Sequence, residues 1–478
     1  MMRALVILAP VIGASVALVI PVRAVRRWVR IVAASIAAVL PLELLGREDP
    51  LAWSMLALVS FIGFLATLFS VGRYGHEAGS ASVEWSRKAV YFWLLGAFWS
   101  AMALAVLATD FATLWIAISA TTLATALLVG FEGEADSLEA AWKYLVLCSA
   151  GIAFGLLGIM LLGRAAIAAG LTPAAALSWH ALAAAGLTSG QARVGLALMI
   201  VGFGTKAGLV PLHAWLPDAH SKAPAPVSGM LSGLLVSCAL YALMRTMQAA
   251  GDVSSAHLLH GISIWLGAAS IVMGGLFMIT QRDLKRLLAY STIEHAGVVT
   301  LALGIGGPIG RLAAVIHLFS HACAKSGAFL AAGILQADRG TTELARLRGS
   351  WQSGLGGRLL FFGGIALAGM PPFGPFVGEL LLLVAAVVRR TWIPLGAASL
   401  GLFLAFLALA RVIGETSAGD RHDDGARVGV PMRRYRRVVM AVATSCALAG
   451  ALAVAVVPWT SARTYVVHLS DVLKGGTR

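Results

Sequence analysis

Four clusters of ionisable side chains stand inside apolar stretches of this chain, and their types are those that carry protons. Lys206 stands five residues before Pro211, in a run that continues to His213 and His220. His317, His321 and Lys325 follow at intervals of four, which places them on one stripe of a helix. At 1.5 Å rise per residue the stripe is about 12 Å long, enough for a side-chain relay. Glu379 comes just after Pro371, Pro372 and Pro375. Glu294 and His295 lie roughly two to three helical turns beyond Asp283, Lys285 and Arg286, a charged group that reads as an interfacial helix start.

A charge inside a bilayer costs several kcal/mol, so each of these groups is a functional candidate by default. Lysine in a low dielectric titrates easily, which makes it a switchable proton carrier. A metal is the rival for the paired histidines, because two imidazoles at i, i+4 can ligate zinc. No carboxylate completes such a site on that helix, and no metal is assigned. The prolines beside Lys206 and Glu379 cannot donate to a helix ladder. Broken helices at membrane depth are tolerated where they line a cavity or are buried in protein.

The composition explains what holds these groups. Of 478 residues, 59% are apolar and 12% charged, against about 25% charged in an ordinary soluble domain. Such a chain cannot cover a surface in water, and it is too hydrophobic for disorder. It reads as an all-α integral membrane protein. The four cysteines stand singly in apolar runs, so no cluster or zinc site is encoded by them; that the chain itself holds no cofactor is what the family resemblance described below implies. The net charge of +14 comes from basic residues in short loops, where they orient the protein, not from a nucleic-acid surface.

Apolar runs predict about fourteen transmembrane helices, near 3–21, 28–45, 51–72, 88–108, 111–130, 141–163, 194–216, 225–248, 257–280, 284–305, 309–335, 358–387, 392–414 and 435–458. The Ala-rich stretch 165–190, interrupted by Pro173, is placed on the membrane surface. Lys and Arg then concentrate in the odd-numbered loops, which puts those loops in the cytoplasm and both termini outside the inner (plasma) membrane. Arg433, Arg434, Arg436 and Arg437 anchor the last span. Broken helices in spans 7 and 12 are the pointer to two inverted five-helix repeats. The expected organisation is helices 1–3 in 1–87, a first repeat in 88–248, a second in 249–414, and a basic loop, last helix and tail in 415–478. From the residues alone the reading stops at a proton- or cation-conducting membrane protein.

At these residues the chain resembles the proton-translocating, antiporter-like subunits of respiratory complex I and membrane-bound hydrogenases. The carriers are GTKAGLVPLHAWLPDAHSKAPAPVSGMLSGLL within Gly202 to Arg245, DLKRLLAYSTIEH (Asp283 to His295), IHLFSHACAKSGAFL (Ile316 to Leu330) and GMPPFGPFVGEL (Gly369 to Leu380). The IEH after LLAYST and the overall length are most similar to component F of the hydrogenase-4 and formate hydrogenlyase group. The resemblance implies a half-channel in each repeat and a central hydrophilic axis. Lys206 would be its seventh-span lysine, His317, His321 and Lys325 its connecting relay, and Glu379 its exit residue. It also implies other membrane subunits as partners, and a peripheral redox arm that carries the metals.

Two positions depart from the family pattern. Ser119 stands where members usually carry a fifth-span glutamate paired with the seventh-span lysine, and Ser237 where complex I relatives often have a lysine. The leading reading is a proton-translocating subunit of a redox-driven complex. A non-pumping structural anchor, and an ion or bicarbonate transport subunit without redox chemistry, are the alternatives. An opposite charge within about 4–6 Å of a lysine is worth about 1.4–4 kcal/mol, so Ser119→Glu is expected to change proton uptake coupled to redox turnover. Unchanged pumping in that variant counts against an impaired N-terminal half-channel.

Overall fold

The computed structural model describes residues 1–20, 23–74, 82–251, 254–418 and 434–456, and these are helical with no strand among them. The chain begins with α1 (Met2–Val19), α2 (Arg23–Val39), α3 (Pro50–Tyr74), α4 (Ser82–Leu107), α5 (Phe111–Val129) and α6 (Ala135–Ala168). After a seven-residue α7 (Trp179–Ala185) come α8 (Gly190–Ala207), α9 (Trp215–Lys222), α10 (Ala225–Met230) and α11 (Val236–Ala250). A π-helical turn at Leu231–Leu235 joins the last two. The remainder is α12 (Ser254–Thr280), α13 (Leu284–Ile305), α14 (Gly307–Arg339), α15 (Ser350–Ser353), α16 (Leu355–Leu367), α17 (Gly374–Val388), α18 (Trp392–Ala418) and α19 (Arg434–Val456).

Eleven of the described helical segments are long and apolar enough to cross a membrane, and α16 and α17 are shorter apolar helices. The least apolar of the eleven are α13 and α14, each with a mean hydropathy of 1.3, and both are 94% buried inside the fold. The α10–α11 segment is wholly buried, whereas α1 is 17% and α18 33% buried. Polar helices therefore occupy the centre and the most lipid-compatible ones the rim, as the cost of charge in hydrocarbon requires.

Local chemistry fixes where the helices start and stop. Asp110 caps α5 by accepting from Thr113 N at 2.8 Å, and Asp283 caps α13 by accepting from Arg286 N at 2.8 Å. α8 ends at Gly208, whose φ of +74° is a left-handed conformation open to glycine. Pro211 prevents the helix from resuming, and Trp215 Nε1 donates to the freed Thr205 carbonyl at 2.9 Å. α16 stops at Leu367, and α17 begins only at Gly374, with Pro375 in its first turn. Both breaks fall in the predicted spans 7 and 12.

Beyond the end of α6 the stretch set on the surface forms a 3-10 turn at Ala175–Leu177 and α7, neither long enough to cross a bilayer. Its Trp179 is buried beneath the Arg245 guanidinium, 5.1 Å from the ring centroid. Arg245 is itself fully buried, pairs with Asp49 and donates to Gln248 at 2.7 Å, which ties α11 to the start of α3. Of the basic anchor, Arg433 lies outside the described residues, as do the side chains of Arg434 and Arg436. Arg437 pairs with Asp338 at 3.1 Å.

Small residues let the inner helices touch backbone to backbone. A Cβ on Gly202 of α8 would stand 2.6 Å from Gly155 Cα of α6, and one on Gly233 would stand 2.7 Å from the Ala322 carbonyl of α14. Such contacts are the usual means of helix association without a hydrophobic drive. Gly202→Leu is expected to force α6 and α8 apart and to cost about 1–3 kcal/mol, read as a lowered Tm in detergent. Exposed Gly190, with open space around its Cβ position, serves as control, and its leucine variant should stay within about 0.5 kcal/mol of wild type.

Candidate functional site

Lys206 lies in the last turn of α8, where the unpaired carbonyls favour a cation. It is fully buried. Its Nζ donates to Thr122 Oγ1 of α5 at 2.7 Å and to Tyr144 OH of α6 at 2.5 Å, and it stands 4.6 Å from the Tyr144 ring centroid. Thr125 extends this hydroxyl chain, 2.6 Å from Tyr144 OH. All of these partners are neutral. Ser119 precedes Thr122 by one turn on α5, and its buried Oγ has no hydrogen-bond partner. The fifth helix thus meets the lysine with a hydroxyl where a counter-charge was expected.

The second cluster is built from α13, α14 and α17. His317, His321 and Lys325 share one face of α14 and are fully buried, as are Glu294 and His295 of α13, at no more than 1% exposure. The shortest contacts do not run along the α14 stripe. His295 inserts beside it, with Nδ1 2.8 Å from His317 Nε2 and ring centroids 5.0 Å from His317 and 5.1 Å from His321. The two α14 rings are 6.4 Å apart. Lys325 Nζ donates to the Leu288 carbonyl of α13 at 3.1 Å and interacts electrostatically with Glu294.

Glu379 is half-buried rather than fully enclosed. Its carboxylate folds back over Gly369 in the helix break, where a Cβ would meet the carboxyl carbon at 2.9 Å. One donor atom each from His295, His317 and Glu379 lies within 4.8 Å of the others. The objection to a metal was the lack of a carboxylate on the histidine helix, and the fold brings one from a different helix.

His213 stands apart. It is half-buried in the loop after α8, with its ring 6.3 Å from Phe277, and among the described residues it contacts no other candidate. Ser237 bonds back to the Gly233 carbonyl at 2.7 Å and offers nothing to the cluster.

Two further groups join the line that sequence reasoning left unassigned. His220 of α9 is fully buried between Trp215 and Phe329, and it lies within electrostatic reach of Lys285 and Lys325. Lys285, read as part of an interfacial helix start, is instead 2% exposed and donates to the Ala223 carbonyl at 2.6 Å. Only its neighbour Arg286 reaches the surface, pairing with Asp218 at 3.1 Å. A signal for His220 was its place in the same motif as Lys206. Tyr144 gave none, being a single tyrosine in an apolar run.

The orphaned polar atoms concentrate here. Both ring nitrogens of His220 and of His321, one each of His295 and His317, and both carboxylate oxygens of Glu294 are buried without a hydrogen-bond partner in the protein. Buried polar atoms are otherwise nearly always paired, with protein or with water.

The family model described as NADH:quinone oxidoreductase/Mrp antiporter, TM, matches residues 108–407, which hold every one of these groups. The chain belongs to this antiporter-like membrane family. It is 36% identical over 448 residues to a hydrogenase-4 component F homolog of Methylacidiphilum infernorum, covering 90% of this chain and 92% of that one. Among solved structures, the fold is similar to a chain of the Mrp complex from Dietzia sp. DQ12-45-1b (TM-score 0.80, 19% identity, 99% and 97% covered). It is also similar to a chain of respiratory complex I from Thermus thermophilus (TM-score 0.73, 23% identity, both chains covered in full). As a member of the antiporter-like family, the chain is a multi-span membrane subunit related to hydrogenase-4 and complex I subunits.

A hydrogen bond to a charged group contributes about 1.5–3 kcal/mol. Tyr144→Phe is therefore expected to destabilise the protein by about that much through loss of the Lys206 contact. The penalty should largely vanish in a Lys206→Met background, measured as a double-mutant cycle on unfolding in detergent.

Proposed function

We propose that this chain is the proton-translocating subunit of a redox-driven membrane complex of the hydrogenase-4 type. Protons move along a buried line from Lys206, past His220 and Lys285, to Lys325, Glu294, His295, His321, His317 and Glu379. The observation that carries this reading is the concentration of unpartnered buried polar atoms along that line. Groups of this kind in a membrane interior imply water between them, and water and imidazoles together conduct protons by exchange. The printed kinship to a hydrogenase-4 component supports the class of complex.

Within this proposal the chain crosses the inner membrane fourteen times, with both termini outside. α2, α8 and the α16–α17 pair supply the three crossings beyond the eleven uninterrupted ones. Two inverted five-helix repeats, 88–248 and 249–414, each contribute one broken helix, with helices 1–3 before them and the last helix after. The broken helices put Lys206 in the last turn of α8, where the backbone dipole favours its charge, and Glu379 in the second turn of α17. Partners are further membrane subunits and a peripheral redox arm.

The two halves are unequal. Lys206 is held by neutral hydroxyls, so its half-channel lacks the counter-charge that would hold a proton against desolvation. The half built on Lys325, the histidines and Glu379 has its full set of acids and bases. Conversion of Lys325 to Ala or of Glu379 to Gln should lower redox-coupled proton uptake in membrane vesicles at least tenfold, with assembly of the complex unchanged. Full pumping in both variants would refute the relay and leave the chain as a membrane anchor.

A further inference from the structure

The second helix break assembles a donor set that no single stretch of the sequence contains. His295 of α13, His317 of α14 and Glu379 of α17 bring their donor atoms within 4.8 Å of one another. Two imidazole nitrogens and one carboxylate oxygen, with a fourth position left for water, make a ligand set suited to zinc, at about 2.0–2.2 Å from the ion. Ligands on tetrahedral corners at that radius are about 3.3 Å apart. His295 Nδ1 and His317 Nε2 already stand 2.8 Å apart, so a small rotation of the rings admits an ion.

We propose that His295, His317 and Glu379 form a zinc-binding site at the break between α16 and α17.

The surroundings argue for a metal independently of the three ligands. Glu294 Oε2 lies 3.6 Å from His295 Nε2, the nitrogen turned away from His317. A small approach would let Glu294 accept from that nitrogen, and a carboxylate hydrogen-bonded there fixes the tautomer of a ligating histidine and raises its basicity. Glu294 and Glu379 also act on each other electrostatically. A dication between buried Glu294 and half-buried Glu379 relieves their repulsion, and the histidines bind it as neutral ligands.

Gly378 lies against His317, where a Cβ would stand 2.7 Å from Nδ1, so the ring packs directly on backbone. Glu379 is half-buried and Met370, Pro371 and Pro372 are exposed, so the break opens to the outside of this chain. Calcium and magnesium, which need six or more oxygen ligands between protein and water, fit poorly here. Zinc and the imidazole-preferring metals near it in affinity fit the donor set. An ion held there occupies the lone pairs a proton would use, so it acts as a stopper.

Cobalt(II), which reports tetrahedral coordination by intense visible absorption, is the probe for the purified full-length chain in detergent. One Co2+ per chain with that absorption is expected, displaced by equimolar Zn2+. Glu379→Gln and His317→Asn should each weaken Co2+ binding at least tenfold, and Glu294→Gln by about 10–100-fold, with size-exclusion profiles checking that each variant is folded. A weak octahedral spectrum in the wild-type chain, or unchanged affinity in Glu379→Gln and His317→Asn, would overturn the site. The readout is the metal alone and involves no proton movement, so it fails or succeeds separately from the relay.

Discussion

The cost of charge in hydrocarbon governs this architecture. Each ionisable side chain carried into the membrane must be kept from lipid, because a charge there costs several kcal/mol, a large fraction of the stability of a fold. The two long helices richest in these groups, α13 and α14, are enclosed almost completely, while strongly apolar α1 and α18 face outward. The order of helices from centre to rim follows from this one requirement. So does the use of glycine inside, since helices that must hide polar side chains have to pack closely around them.

The helix breaks answer the same requirement by another route. A continuous helix satisfies its own backbone and has no free carbonyl or amide to offer a side chain. By ending at Gly208, α8 exposes carbonyl ends close to Lys206, and Trp215 satisfies one of them. The gap between α16 and α17 lets Glu379 fold back over Gly369 toward the histidines. In both places an interrupted backbone puts polar groups at membrane depth without leaving them against lipid.

Much of this could be read from the residues in order. Pro211 and the Pro371–Pro372 pair marked the two breaks, and the i, i+4, i+8 spacing placed His317, His321 and Lys325 on one face. The rest depends on contacts between segments distant in sequence. Nothing in the α14 stripe reveals that His295 inserts beside it, because that depends on how α13 rotates against α14. Glu379 joins the histidines only because α16 and α17 leave a gap there. Lys285 looked like a surface residue because its neighbours Asp283 and Arg286 are charged, yet one face of that first turn points inward to the Ala223 carbonyl. Tyr144 was invisible for a simpler reason: a hydroxyl partner leaves no charge pattern in a sequence, whereas a carboxylate does.

The backbone contact between Gly233 and the Ala322 carbonyl has a mechanical consequence. Gly233 meets both the Ala322 carbonyl and the Ser326 hydroxyl of α14 there, which leaves no room for a side chain of its own. The two central segments are thereby held in direct contact at this point, the first proposed repeat against the second. The relay proposed above asks no more of such a frame than imidazole flips, lysine tails and files of solvent, with no motion of whole domains.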